Sequence, residues 1–195
     1  MTVLFGEVIG KGTERVCYIN KKNPKTCFKV IRRGHSKQTL REAKYFEYLK
    51  RNNVVPTFMP KYIGFYEEDD LYILEQERIG SGEHETVKTI KEFISEATEI
   101  ELKQLERVLD NLKCEMIQLN VIVSDMRTTN GYVVLYKGEI DRVVFFDGYG
   151  APEFIPLANI FSWAGKRKIQ RQWNKFLRYY HNDLKMFAKN KITFK

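Results

Sequence analysis

Val121-Ile122-Val123-Ser124-Asp125-Met126-Arg127-Thr128-Thr129-Asn130, continued from Gly131 to Gly150 as GYVVLYKGEIDRVVFFDGYG, is the stretch whose reading decides the fold. The apolar run Val121–Val123 leads into a polar loop that closes at Asn130. A hairpin follows, with Tyr132–Tyr136 as one strand, a turn at Lys137-Gly138, and Arg142–Phe146 as the other. The second strand ends in Asp147-Gly148. Burying these apolar segments brings their polar ends together, so Asp125, Asn130 and Asp147 are expected to meet. The spacing D-x-x-x-x-N, a short hairpin, then two hydrophobic residues and Asp-Gly is the arrangement of phosphoryl-transfer sites. There one Asp takes the proton of the attacking hydroxyl, while the Asn and the second Asp hold Mg²⁺. The same residue types also make turns and helix caps, so this stretch alone fits a plain polar loop equally well.

Composition narrows the field. The chain has 195 residues, enough for one domain or two small lobes sharing a cleft, and its 43% hydrophobic content is that of a chain that buries a core. Lys and Arg number 33 against 25 Asp and Glu, a net charge of +8, which favours an anionic partner. Cys17, Cys27 and Cys114 are widely spaced and form no CxxC pair; with no leader pattern, this reads as a reducing, cytoplasmic setting. No apolar stretch reaches the roughly 18 residues of a membrane span. His35, His84 and His181 are scattered, which excludes a zinc-ligand spacing.

Before the central stretch, Leu4–Ile9 reads as a strand running into Gly10-Lys11-Gly12-Thr13-Glu14-Arg15, with Val16–Ile19 returning. Glycines in such a turn let backbone N–H groups approach phosphate oxygens. The third glycine of a G-x-G-x-x-G loop falls at Arg15, so the motif is partial, and an ordinary glycine hairpin fits it too. Thr26–Ile31 reads as a strand with Lys29 in its middle. Alternation puts Cys27, Lys29 and Ile31 on one face. A lysine there needs an anion or a route to solvent, since an unpaired buried ammonium is costly. In the helical segment Ser36–Lys50, Leu40, Ala43, Phe46 or Tyr45, and Leu49 or Tyr48 fall at helical spacing, with Glu42 beside the stripe. That helix can aim Glu42 at Lys29, or leave it solvated.

Val54–Lys61 reads as a connection, and Tyr62–Tyr66 and Leu71–Glu75 as strands flanking a charged turn, Glu67–Asp70. Gly80-Ser81-Gly82 marks a linker, which gives residues 1–78 and 79–195 as the two parts: a five-stranded sheet plus one helix, then a helical part. From Thr86 the pattern reads as helical, with Val87, Ile90, Phe93 and Ile94 on one face. Thr98 and Glu101 form a capping box opening a second helix striped by Leu102, Leu105, Leu109, Leu112 and Met116. After a short loop, Ile169, Trp173, Phe176, Leu177, Tyr180, Leu184 and Phe187 stripe a last helix. Between Phe161 and Lys195 there are ten Lys and Arg and one acid, Asp183, so this segment accounts for the whole net charge.

A glycine hairpin, a strand lysine, a helix glutamate, a β-hairpin, a glycine linker, helices, and an Asp…Asn loop before a hairpin ending in Asp-Gly occur here in one order, from about Phe5 to Gly150. The order resembles the protein-kinase-like superfamily. Within it, Gly12–Tyr18, Cys27-Phe28-Lys29-Val30 and Ser124–Asn130 are similar to the YrbL family, small bacterial proteins named for the PhoP regulatory network. The resemblance implies an α+β, two-lobe fold with a β-rich N-lobe and a reduced helical C-lobe, and ATP with Mg²⁺ as cofactors. It implies Gly10, Gly12 and Thr13 in the phosphate loop, Lys29 on the α- and β-phosphates with Glu42 as its partner, and Cys17 and Cys27 roofing the adenine. Asp125 becomes the catalytic base, Arg127 the cation on the γ-phosphate, and Asn130 and Asp147 the metal ligands.

Departures refine this. Val123-Ser124 replaces the usual His-Arg, which removes the partner of an activation-loop phosphate. Gly148 replaces the DFG phenylalanine, and the segment after Asp147 leaves little platform for a peptide. The expected activity is transfer of the ATP γ-phosphate to a hydroxyl of a small, sugar-like or lipid-linked acceptor. Lys166, Arg167, Lys168, Arg171 and Lys175 are expected to draw an anionic acceptor or an anionic membrane surface. The competing readings are a nucleotide-binding regulatory pseudokinase, a nucleotidyl transferase on the same fold, and a nucleic-acid binder using the last helix. An amphipathic helix packing its aromatics inward explains that helix more simply than nucleic acid does.

Overall fold

The structure is a computed structural model, and it describes residues 3–12, 14–35, 37–149 and 162–193. The chain is a mixed α+β protein, β-rich at its start and helical after. Two compact units emerge, one from residues 1–55 with 60–83, the other from 56–59 with 84–195.

The first unit is a five-stranded antiparallel sheet in the order β1-β2-β3-β5-β4, with one α-helix. Its strands are β1 (Phe5–Lys11), β2 (Val16–Asn20), β3 (Thr26–Arg32), β4 (Tyr62–Glu68) and β5 (Leu71–Glu77). β3 lies in the middle and is buried from Thr26 to Ile31, as its run of Phe, Val and Ile demands. One of its faces packs Phe28 and Val30 with Val3 and Ile73. The same face carries a polar knot. Glu75 accepts from Asn20 Nδ2 at 2.8 Å, Thr26 Oγ1 at 2.7 Å and the Tyr66 hydroxyl at 2.8 Å. Three donors on one buried carboxylate are what its loss of water requires.

On the other face of β3, Lys29 stands opposite Cys17 on β2 and Leu74 on β5. Helix α1 (Lys37–Arg51) buries Thr39, Glu42, Ala43, Tyr45, Phe46 and Leu49. The expected stripe is therefore rotated slightly: Thr39 is buried where Leu40 is half-buried, and Tyr48 is exposed. The rotation carries Glu42 fully inside.

The second unit carries a three-stranded sheet in the order β6-β7-β8, with β6 Glu85–Thr89, β7 Gly131–Tyr136 and β8 Glu139–Phe145. Its helices are α2 (Ile90–Glu96), α3 (Glu99–Leu119) and α4 (Ser162–Thr193). The helical reading from Thr86 is corrected here: Glu85–Thr89 is a strand paired with β7, and the helix begins at Ile90. Thr89 ends the strand and caps the helix, accepting from Glu92 N while Glu92 reaches back to Thr89 N. Thr98 and Glu101 form the second such box, as expected. The hairpin turn is built by Lys137 and Gly138, both at positive φ (51° and 88°), which suits the twist of a two-residue connection.

Val121–Val123 is buried but not a strand; it makes a single bridge, Val123 with Tyr149. Pro56–Met59 is more than a connection. Phe58 is buried in this unit and its carbonyl accepts from Phe145 N at 3.0 Å. α3 contributes Leu105, Leu109, Leu112 and Met116 to the core, and α4 contributes Ile169, Trp173, Phe176 and Tyr180. Each such buried side chain stabilises the fold by about 1.5–3 kcal/mol relative to exposure. The expected loop between Gly150 and Ile160 lies outside the described residues. Among the described residues no helix is long and apolar enough to cross a membrane.

Candidate functional site

In the first unit the site is built on β1, β2, β3 and α1. Lys29 is 5% exposed and its Nζ lies 3.5 Å from Glu42 Oε1. Arg15 Nη1 meets Glu42 Oε2. One buried carboxylate thus serves two cations. The Arg15 contact is a hydrogen bond, whereas Glu42 Oε1 has no hydrogen-bond partner and meets Lys29 as an ion pair only. Arg15 was read as the residue that spoils the glycine motif. Its cation opposite a helix glutamate is the signal that sequence reasoning passed over.

Gly10 and Gly12 sit at the β1–β2 turn, where Gly12 N donates to Arg15 O at 2.8 Å. Neither glycine is required by the fold. A Cβ on Gly10 would stand 3.7 Å from Cys17 Cβ, and one on Gly12 3.6 Å from Arg15 O, both ordinary contacts. Thr13 lies outside the described residues. Cys17 and Cys27 share the Lys29 face of the sheet, Cys17 half-buried and Cys27 buried with its Sγ 3.8 Å from Glu77 O. Burial pushes the Cys27 thiol up to about 12, against a smaller lowering by Lys29.

In the second unit the polar ends do converge. Asp125 Oδ1 accepts from Arg127 Nε at 2.9 Å, and Asp125 Oδ2 accepts from Asn130 Nδ2 at 3.0 Å. The β7–β8 ladder carries Asn130 to its partner strand, where Asn130 O accepts from Phe146 N at 3.1 Å. Two residues on, Gly148 O accepts from Ser124 N at 2.7 Å. Asp147 lies between these two bonds, with its Oδ1 accepting from Gly148 N at 2.7 Å. Gly148 has φ +86°, and a Cβ there would lie 2.8 Å from Asp125 N. Only glycine permits both the left-handed turn and this approach. Asp125 and Arg127 are open to solvent, with side chains 41% and 51% exposed. Among the described residues no group of three or more His, Cys, Asp or Glu could hold a metal by itself.

Sequence reasoning missed how this loop is held. Thr128 is buried, its Oγ1 donates to Asp183 Oδ2 at 2.6 Å, and its carbonyl accepts from Lys91 N at 3.1 Å. The lone acid of a basic helix was the available signal. The basic run itself is split: Lys166, Arg167 and Arg171 are exposed, Lys168 is buried, and Lys175 is half-buried.

The sequence matches the family described as PhoP regulatory network protein YrbL over residues 4–181. It is 26% identical over 175 residues to the "Uncharacterized protein YrbL" of Escherichia coli (strain K12), covering 87% of this chain and 82% of that one. The protein of the same name from Shigella flexneri matches to the same extent, 26% over 175 residues. The match runs over far more than half of the sequence, so the chain belongs to the YrbL family of PhoP regulatory network proteins.

Proposed function

We propose that the protein is an ATP- and Mg²⁺-dependent phosphotransferase of the protein-kinase-like kind, the first unit serving as the small β-rich lobe and the second as a reduced helical lobe. The observation that carries this reading is the convergence of Asp125, Asn130 and the Asp147-Gly148 corner around one hairpin end. The buried Lys29–Glu42 pair supports it, because a lysine amid Phe28, Val30 and Leu74 needs a reason to be there.

In this reading Lys29 binds the α- and β-phosphates, and Glu42 holds Lys29 in place. Gly10 and Gly12 contribute space, since the Gly12 N–H is already used within its own turn. Asp125 takes the proton of the acceptor hydroxyl. The freed oxygen forms the new bond to the γ-phosphorus while the bond to the β,γ-bridging oxygen breaks, and ADP leaves with that electron pair. Arg127 and Asn130 fix both carboxylate oxygens of Asp125, so the base is already oriented. The donor set fits Mg²⁺, which takes few protein oxygens and completes its shell with water and phosphate. Asn130 turns its nitrogen onto Asp125, so its oxygen is the end that would meet a cation, with Asp147 as the second ligand. Bound there, Mg²⁺ would neutralise charge on the transferring phosphate. ATP as donor and three cysteines that form no disulfide fit a cytoplasmic setting.

The test is label transfer from γ-³²P-ATP against α-³²P-ATP into a cell extract by the purified protein. Label from the γ position alone is expected; label from the α position would make it a nucleotidyl transferase, and none from either a binding protein. In parallel, ATP–Mg²⁺ should raise Tm by mass action, and Lys29→Ala should remove most of the rise. Asp125→Asn should abolish transfer and keep that rise, whereas Asp147→Asn should weaken it.

A further inference from the structure

α4 presents a second polar stripe beside its core-facing one. Lys175, Tyr179 and Asp183 stand one turn apart on it. Asp183 is bonded to Thr128, which sets this stripe against the Asp125 loop. Arg127 Cζ lies 6.0 Å from the Tyr179 ring centroid, and Lys175 Nζ lies 6.0 Å from the same ring. Two cations therefore share one aromatic ring, and one of them is bonded to Asp125. Like charges gather in this way at a cost, which an anion between them removes.

The charges around the ring are unequal in their partners. Arg127 is balanced by Asp125. Asp183 sits about 12 Å along the helix from Lys175, about one and a half Debye lengths at physiological salt, and its carboxylate is engaged by Thr128. Among the described residues no carboxylate pairs with Lys175. Lys175 is a half-buried residue with its ammonium over the Tyr179 ring.

We infer that Lys175, Tyr179 and Arg127 form an acceptor subsite that takes a phosphate group carried by the substrate close to its reacting hydroxyl. The inference rests on the phosphotransferase reading and adds the substrate class: a hydroxyl-bearing phosphate ester, free or as a lipid headgroup. Lys175 pairs with the ester phosphate, and the Tyr179 ring holds both cations in place. The stripe thereby sets which alcohol is brought to Asp125.

Calorimetric titration tests it with glycerol 3-phosphate, uncharged glycerol, and vesicles of phosphatidylglycerol. Glycerol 3-phosphate should bind and glycerol should not. Lys175→Ala should raise Kd about tenfold, the size of one lost charge-assisted contact. Lys175→Arg should restore binding, and Tyr179→Phe should keep it, because the ring face is unchanged. Lys175-dependent binding to vesicles in place of glycerol 3-phosphate would make a lipid headgroup the source of the phosphate. Binding to none of the phosphate probes, or equal Kd for wild type and Lys175→Ala, overturns the inference. The nucleotide reading is scored separately, by the ATP–Mg²⁺ shift in Tm and its loss in Lys29→Ala. An intact shift without phosphate-ester binding faults the subsite alone, and lost label transfer with intact, Lys175-dependent ester binding faults the phosphotransferase reading.

Discussion

Removing the Glu42 carboxylate is expected to be among the most damaging single changes in the first unit. Glu42 is 0% exposed and faces Arg15 and Lys29, whose side chains are 10% and 6% exposed. Glu42→Ala removes the carboxylate that faces both of these largely desolvated cations. Breaking one buried pair in this way costs about 3–5 kcal/mol. Spread over a chain of this size, at about 2–4 °C per kcal/mol, that is a fall in Tm of roughly 6–20 °C. The opposite change is milder: Lys29→Met removes one cation, and Glu42 keeps its hydrogen bond to Arg15. Its expected loss is smaller than that of Glu42→Ala, while its effect on ATP–Mg²⁺ binding is larger. Urea unfolding of both variants, with m compared to establish that the unfolded state is unchanged, gives the two ΔΔG values. A loss below about 1 kcal/mol in Glu42→Ala is the range of a surface ion pair and would refute the argument from burial.

Three other outcomes follow from the same geometry. Gly148→Ala forces a Cβ to within 2.8 Å of Asp125 N at a φ of +86°, so thermal unfolding should show a loss of about 1–3 kcal/mol, with phosphoryl transfer reduced further because Asp125 is displaced. Glu92 and Glu101 are both held below the usual carboxylate range, first by the backbone N–H and then by the hydroxyl of their capping threonines. Their folded values are depressed, so this stability is fully present above the unfolded value of about 4.3 and is lost as pH falls through the folded value. Tm of Glu101→Gln should therefore lie below wild type at pH 7 and approach it in acid. Cys27, with its thiol pushed up to about 12 and its side chain buried, should resist alkylation at pH 8 with or without ATP, while exposed Cys114 reacts; peptide mapping by mass spectrometry reads both.

Local pattern carried most of the fold to the surface of the sequence. The Lys137-Gly138 turn, the alternation of β3 and the Thr98 capping box each depend on neighbours within a few residues, and each is where the spacing put it. The strand Glu85–Thr89 was hidden because its partner, β7, is remote in sequence. Val87, Ile90, Phe93 and Ile94 satisfy helical spacing whether or not the first of them is in the helix, and only the Thr89 cap divides the run. α4 shows the converse: its apolar stripe was legible, but the role of Asp183 required knowing which loop it faces.

The first-unit cluster marks where such reading stops and why. Sequence reasoning gives a buried strand lysine one carboxylate and regards the pair as complete. A carboxylate has two oxygens, and folding the Gly12–Arg15 turn over α1 brings a second cation to Glu42. Arg15 takes the hydrogen bond, with its planar guanidinium suited to a carboxylate. Lys29 meets the other oxygen as an ion pair at 3.5 Å. The two cations therefore share one buried carboxylate, and the attraction of Glu42 is divided between them. Arg15 thus competes with Lys29 for Glu42, and replacing Arg15 by Met should draw Lys29 more tightly onto Glu42 and weaken ATP–Mg²⁺ binding in the phosphotransferase reading. Unchanged nucleotide affinity in Arg15→Met would mean that competition for Glu42 does not govern Lys29.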